Sequence, residues 1–361
     1  FIQLIQYAPS TETVFKRPLL VIPPWINKYY ILDMRPENSY AKWLVDQGHS
    51  VFMISWVNPD AQMGKMDFDD YMKHGILDAL SHIEQTTGEH DANVIGYCIG
   101  GTLLSMTLSW MKAKGLSHKV ASATFLTTLI DFKNSGELKL FADDKAIAFI
   151  DSEMEKNGVL PGSYLQKTFS ALRANDLIWS FVVNNYLMGK EPFPFDLLYW
   201  NDDSTNMPAA LHGHYLRAMY RDNLLVKPGG LSVGGVPVDI GEIETPSYFL
   251  STRDDHIAPW KATYAGARLL SGDVTFTLAG SGHIAGVVNP PAANKYAYWT
   301  SDEMPTTADA WLPGAKETPG SWWIHWQAWI ERYTAGRVAA RTPEHPIEPA
   351  PGRYVKKRIY S

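Results

Sequence analysis

Gly96-Tyr97-Cys98-Ile99-Gly100-Gly101 is the stretch on which the reading of this chain turns. A β-type run, Ala92-Asn93-Val94-Ile95, leads directly into it. A helical pattern with Leu103, Leu104, Met106 and Leu108 follows. Strand, tight turn and helix in that order form the context of a nucleophile elbow, with Cys where most such enzymes carry Ser. Gly96 and Gly100 leave room for a sharply turned backbone that lifts the side chain between them above the sheet. The helix N-terminus offers N–H groups and a positive dipole to a thiolate or an oxyanion. The plain alternative is a small buried thiol at a strand end; the spacing, the strand and the helix all favour the elbow.

Outward from the elbow the chain alternates strands and helices. Phe1 to Tyr7 is strand-like, Leu19-Leu20-Val21-Ile22 is a buried strand ended by Pro23-Pro24, and Val51 to Trp56 is a further strand. Asp69 to about Thr87 reads as a helix, with Met72, Ile76, Leu80 and Ile83 at helical spacing and Gly88 as its stop. Ala121 to Leu129 is another strand. This alternation predicts an α/β fold with a mostly parallel sheet covered on both faces. From Asp131 to Glu244 helical segments dominate, broken by Gly158, Pro161-Gly162, Pro192-Phe193-Pro194 and Pro228-Gly229-Gly230, which reads as a helical cap inserted over the sheet. The α/β pattern then resumes with strands Ser247–Ser251 and Val274–Leu278 around a helix from Trp260 to Leu270. The expected division is core 1–130, cap or lid 131–244, and core 245–361. The last helix, near Ser321 to Gly336, carries Trp322, Trp326 and Trp329 on one face, a stripe expected to face the core. The tail from Thr342 is Pro-rich and expected to be irregular.

Composition excludes several function classes. The chain has 361 residues, is 45% hydrophobic and 19% charged, and carries a net charge of −6. Those are the proportions of a globular protein, and the acidic balance without a long Lys/Arg run gives nucleic-acid binding little support. One Cys excludes an intrachain disulfide. No Cys/His cluster has zinc-ligand spacing, so no metal is expected. No apolar run reaches ~18 residues, so no membrane span is expected. The chain begins on Phe1, without Met and without a signal-peptide pattern.

A Cys elbow needs a base and a group that orients the base. In α/β-hydrolase topology the chain order is nucleophile, acid, His. Two loops match it. The strand Ser247–Ser251 runs into Thr252-Arg253-Asp254-Asp255-His256, and Val274–Leu278 into Ala279-Gly280-Ser281-Gly282-His283. Both lie at carboxyl ends of predicted parallel strands, where open α/β sheets bind ligands. His283 is the candidate base and Asp255 the candidate acid. Asp254 is its rival, because adjacent side chains point in opposite directions. His256 occupies the acid's position rather than the base's. The oxyanion hole is expected from the Ile99 N–H and from the loop Pro23-Pro24-Trp25-Ile26-Asn27-Lys28-Tyr29-Tyr30, with Ile26 N–H as the second donor.

These motifs resemble one family. Gly-Tyr-Cys-Ile-Gly-Gly, Pro-Pro-Trp-Ile-Asn-Lys-Tyr-Tyr, Asp-Asp-His-Ile-Ala-Pro-Trp, Ser-Gly-His-Ile-Ala-Gly-Val-Val-Asn-Pro-Pro and Pro-Gly-Arg-Tyr-Val-Lys are similar to those of the class I polyhydroxyalkanoate synthases, catalytic domain. The similarity runs from end to end and includes Phe195-Asp196-Leu197-Leu198-Tyr199-Trp200-Asn201. It implies an α/β-hydrolase fold, Cys98 as nucleophile, Asp255 as acid and His283 as base. It implies polymerisation of (R)-3-hydroxyacyl-CoA into a growing polyester with release of CoA, which enters as substrate; no other cofactor is implied. It further implies a homodimer, a cytoplasmic location and association with the polymer granule surface, with Asn27, Trp200 and His256 as substrate-binding candidates. One departure is Trp25, where the family often has a second Cys, which argues against two thiols acting within one subunit. The family also has a further N-terminal region.

The chemistry suits a thiol. Thiolate attack on a CoA thioester gives another thioester, so the acyl group stays activated for the next hydroxyl; a Ser ester would be no more reactive than the product bond. A free thiol has a pKa of ~8.5, so His283 is expected to take its proton or stabilise the thiolate, held in the right tautomer by Asp255. The resemblance also permits a second role for Asp255, in activating the incoming 3-hydroxyl. Water must be kept from the acyl-enzyme, a task for a closing cap. The same three residues would also serve a Cys-dependent thioesterase or esterase, and the product distinguishes these.

Overall fold

The computed structural model describes residues 1–172 and 196–358. Nine strands form one sheet. In chain order they are β1 (Ile2–Gln6), β2 (Leu19–Ile22), β3 (Val51–Trp56), β4 (Ala92–Tyr97), β5 (Val120–Leu126), β6 (Ser247–Thr252), β7 (Val274–Ala279), β8 (Ala297–Thr300) and β9 (Lys316–Pro319). Their spatial order is β1-β3-β2-β4-β5-β6-β7-β8-β9. The pairings from β3 across to β7 are parallel. β1 on one edge and β8 and β9 on the other are antiparallel.

The continuous apolar runs are explained by two covered faces. Along β2 the side chains alternate: Leu20 and Ile22 join one buried cluster, Leu19 and Val21 the other. β3 does the same, with Phe52 and Ile54 opposite Val51 and Met53. The first face packs the elbow helix (Ile99–Ala113) through Ile99, Leu103 and Met106. The second packs Trp322, Trp326 and Trp329, all buried, so the Trp stripe faces the core as expected.

Several boundaries differ from expectation. β5 stops at Leu126 because Thr127 turns at φ 42 and gives its N–H to the Leu250 carbonyl at 2.7 Å. The helix after Pro259 ends at Ala267, and the last helix is Trp323–Ile330 followed by a 3₁₀ turn, Glu331–Tyr333. The helix expected from Asp69 starts at Phe68 and passes through a π-wound segment, Met72–Leu77, before ending at Gly88 with φ 72. β8 and β9 went unread because they are short and lie at an edge without clear alternation.

Between β5 and β6 the described residues are largely helical: Asp144–Asn157, Gly162–Leu172, Asp196–Asp202, Ala209–His214 and a π-wound continuation, Tyr215–Arg221. Residues 173–195 of this stretch, with Pro192-Phe193-Pro194 and Phe195, lie outside the described residues. Ile147, Met154, Leu160, Met207, Leu211 and Met219 share one buried cluster with Leu20, Phe52 and Leu104 of the sheet layers. The insertion thus has no separate core among the described residues. The tail is irregular yet docked: Gln3 Oε1 accepts from the N–H groups of Arg353 (3.0 Å) and Tyr354 (2.8 Å).

Candidate active site

Cys98 sits between β4 and the elbow helix at φ 54, ψ −125, a conformation costing a non-glycine residue about 1–3 kcal/mol. Its surroundings hold it there. Its N–H donates to the Leu126 carbonyl at 2.9 Å, and its carbonyl accepts from the Gly101 N–H (2.9 Å), the Thr102 N–H (3.2 Å) and the Thr128 hydroxyl (3.3 Å). The glycines are there for space. A Cβ on Gly96 would lie 2.5 Å from Gly101 Cα, one on Gly100 2.4 Å from the Ile22 carbonyl, and one on Gly101 2.0 Å from Thr128 Oγ1.

The loops after β6 and β7 meet over the elbow. His283 Nδ1 lies 2.6 Å from Asp255 Oδ2, with the carboxylate fully buried. Asp255 is held in turn: Oδ1 accepts from the N–H groups of Ile257 (2.8 Å) and Ala258 (2.9 Å), and Oδ2 from the Thr252 hydroxyl at 3.3 Å. Asp254 points the other way, with its side chain 62% exposed beside Arg253. The fold thus separates the two candidates, and Asp255 is the one that faces His283. Tyr97 stacks on the imidazole with centroids 5.7 Å apart, and its hydroxyl donates to the His283 carbonyl at 3.2 Å. The indole N–H groups of Trp322 and Trp323 donate to the Gly286 and Val287 carbonyls, each at 2.9 Å, and brace the same loop.

The electrostatics join the three groups. Burial disfavours the charged imidazole of His283, but the Asp255 carboxylate and the Cys98 sulfur, with hydrogen bonds to both, push it up to about 10. A buried carboxylate, an imidazole and a sulfur in that sequence form an arrangement capable of nucleophilic acyl transfer. Among the described residues no cluster of His, Cys, Asp and Glu is arranged to hold a metal ion.

The remaining candidates fall out unevenly. Ile99 opens the elbow helix, where its N–H has no intrahelical acceptor. Ile26 and Asn27 are half-buried, and the Ile26 carbonyl accepts the Thr205 hydroxyl at 2.7 Å. Trp200 is buried and gives its indole N–H to the Lys28 carbonyl at 2.8 Å, so it packs against the loop after β2. His256 is half-buried with its backbone carbonyl against Gly136.

Two residues near the site escaped the sequence reading. Burial raises the phenols of Tyr215 and Tyr220, and the charge of Cys98 adds to both shifts, which places the two rings within electrostatic reach of the sulfur. Their centroids are 5.2 Å apart, and Phe132 packs edge-on against each at 5.9 and 5.0 Å. A spacing of five residues would separate them on an α-helix; the π-wound Tyr215–Arg221 segment brings them together. No α-helical pattern could have signalled it.

The family profile "alpha/beta hydrolase fold" matches residues 30–290, and "Poly-beta-hydroxybutyrate polymerase (PhaC) N-terminus" matches residues 1–44. The chain is 52% identical over 359 residues to "Poly(3-hydroxyalkanoate) polymerase subunit PhaC" of Rhizobium meliloti (strain 1021), covering 99% of this chain and 58% of the relative. It is 46% identical to the protein of the same name from Cupriavidus necator, covering 99% of this chain and 62% of that one. Among solved structures, a putative non-heme bromoperoxidase, BpoC, from Mycobacterium tuberculosis H37Rv is similar at 14% identity and a TM-score of 0.47, over 81% of this chain and 92% of that one. The resemblance read from the motifs therefore stands, and the chain spans 58% and 62% of the length of these two polymerases.

Proposed function

Since this chain belongs to the alpha/beta hydrolase fold family, we propose that it is the catalytic part of a polyhydroxyalkanoate synthase, polymerising (R)-3-hydroxyacyl-CoA through an acyl-Cys98 thioester. The acyl-Cys98 step is supported by the imidazole of His283 held between the buried Asp255 carboxylate and the Cys98 sulfur, and the polymer product by the 52% and 46% identity to two poly(3-hydroxyalkanoate) polymerases. Cys98 Sγ, its proton taken by His283, attacks the thioester carbonyl and forms the S–C bond. The bond to the CoA sulfur breaks, and that sulfur leaves with the proton from His283. The 3-hydroxyl of a second (R)-3-hydroxyacyl-CoA then attacks the acyl-Cys98 carbonyl and gives its proton to His283, Cys98 leaves as the thiol, and the lengthened acyl-CoA passes back to Cys98 by the first step. The ester formed is the polymer bond.

The role of Asp255 follows from its partners. Oδ1 takes two backbone N–H groups, and Oδ2 takes His283 and Thr252. Four donors fill the acceptor capacity of a carboxylate, which favours orientation of His283 over direct activation of the 3-hydroxyl. Homodimer formation, a cytoplasmic location and granule attachment belong to the same proposal and rest on the resemblance. Among the described residues no helix is long and apolar enough to cross a membrane.

Water exclusion is assigned to the 131–244 insertion. Because its described part shares a core with the sheet, opening the whole segment as one body would expose Met207, Leu211 and Met219, at roughly 1.5–3 kcal/mol per side chain. Movement is therefore assigned to parts of the insertion. Limited proteolysis with and without a substrate analogue tests this; cuts confined to the rest of the chain and unaffected by the analogue count against it.

The deciding experiment is incubation with (R)-3-hydroxybutyryl-CoA, following CoA release and the second product, beside Cys98→Ala. Polyester and CoA, both lost in the variant, support the synthase. CoA with monomeric hydroxy acid alone makes the chain a thioesterase.

A further inference from the structure

The loop 23–30 leaves β2 against the elbow: a Cβ on Gly100 would lie 2.4 Å from the Ile22 carbonyl and 2.9 Å from that of Pro23. Opposite this loop runs the segment 203–206, which follows the helix Asp196–Asp202. The segment is tied down along its length. Asp203 accepts Lys28 Nζ at 2.6 Å and the Tyr30 hydroxyl at 2.9 Å, as a buried ion pair. Lys28 gives its other two hydrogens to the carbonyls of Val355 (2.7 Å) and Lys357 (2.9 Å), which bolts the tail to the same point. Asn206 donates its N–H to Asn58 Oδ1 at 2.9 Å and its side-chain amide to the Pro59 carbonyl at 3.0 Å.

Thr205 lies between these anchors, buried, with its hydroxyl shared by the carbonyls of Trp25 (2.5 Å) and Ile26 (2.7 Å). The two contacts orient the loop's peptide planes. In a trans peptide the N–H points opposite to the C=O of the same plane, and among the described residues the only cis bond is Ala350–Pro351. The Trp25 carbonyl shares its plane with the Ile26 N–H, and the Ile26 carbonyl with the Asn27 N–H. Both N–H groups are therefore turned away from Thr205. Among the described residues neither has a hydrogen-bond acceptor.

We propose that Thr205 is a positioning residue for acyl transfer: by gripping the Trp25 and Ile26 carbonyls from the side of the insertion, it aims the Ile26 N–H at the oxyanion that forms opposite the Ile99 N–H. This rests on the acyl-transfer reading of Cys98. As Sγ bonds to the thioester carbon, the π pair moves onto the carbonyl oxygen, and an N–H already aimed there stabilises it without rearranging. Lys28 and Asp203 hold the grip in register.

The test uses two electrophiles on Thr205→Val and Thr205→Ser. Attack on (R)-3-hydroxybutyryl-CoA creates an oxyanion; alkylation by iodoacetamide displaces iodide at a saturated carbon and creates none. Val keeps the shape and loses the donor. The expected result for Thr205→Val is a fall in kcat for CoA release of about 10–100-fold with KM little changed. Cys98 alkylation should stay within about twofold of the parent by the same reasoning, and Thr205→Ser should restore most of kcat. An equal loss against both electrophiles would mean a collapsed site and would overturn the positioning role. So would undiminished CoA release in Thr205→Val. CoA release that persists in Cys98→Ala would remove the acyl-transfer reading itself, a result distinct from either.

Discussion

Replacing Asp255 by Asn removes one charge and almost no volume, and the structure dictates what happens next. Oδ1 accepts two backbone N–H groups, from Ile257 and Ala258. An amide NH₂ cannot replace it there, so the Asn oxygen must keep that side. The NH₂ then occupies the Oδ2 position, 2.6 Å from His283 Nδ1, and donates to the ring. His283 is forced to carry its proton on Nε2, where it can no longer accept one from Cys98. The electrostatic loss is of similar weight. His283 rises from 6.5 to about 10 against the opposing effect of burial, a difference of ~5 kcal/mol shared between Asp255 and Cys98. Without the carboxylate, burial is opposed only by Cys98, and the ring holds its proton less tightly. CoA release from (R)-3-hydroxybutyryl-CoA should fall about 10³–10⁴-fold. The His283 ring protonation, followed by NMR, should move down from about 10. A raised imidazole adds stability that is complete below pH 6.5 and is lost as pH climbs through about 10. Urea melts of the parent should show that decline, and melts of Asp255→Asn should not. A variant that retains turnover within about tenfold, with the His283 titration unmoved, would refute the reasoning.

Asp254→Asn should alter CoA release and stability little, within about 0.5 kcal/mol by urea unfolding, because its carboxylate is exposed and its ion pair with Arg253 is open to solvent; a loss comparable to that of Asp255→Asn would reassign the acid. Cys98→Gly should abolish turnover and raise stability by about 1 kcal/mol, since glycine adopts φ 54 freely; a lower unfolding midpoint would show that the elbow is unstrained. Gly101→Ala should destabilise by roughly 1–3 kcal/mol or fail to accumulate, its Cβ meeting Thr128 Oγ1 at 2.0 Å; pairing it with Thr128→Ala should recover part of that loss in the same denaturation assay.

What was legible was local. The elbow with its glycines, each strand, the Asp254-Asp255 loop and the His283 loop are short contiguous stretches, where backbone geometry restricts residue choice within a few positions. The Trp322, Trp326 and Trp329 face followed from helical periodicity for the same reason. Illegible features depended on partners far along the chain or on irregular winding. Tyr215 and Tyr220 come together only because the segment is π-wound. Thr205 touches Trp25 across 180 residues. Trp200, a substrate-binding candidate by resemblance, is packed with its indole N–H on the Lys28 carbonyl.

The amino-acid sequence alone therefore determined the fold class, the sheet's buried strands, and Cys98, His283 and the Asp254-Asp255 pair as candidate reactive side chains, because each is encoded in spacing along one strand, turn or helix. Only the tertiary structure decided between Asp254 and Asp255, since neighbouring side chains diverge and only the packed loops after β6 and β7 say which one meets the imidazole. It alone decided which carbonyls of the loop after β2 are held and so which way its N–H groups face. A peptide plane can turn either way in an isolated loop; a hydroxyl delivered from a distant segment is what selects one.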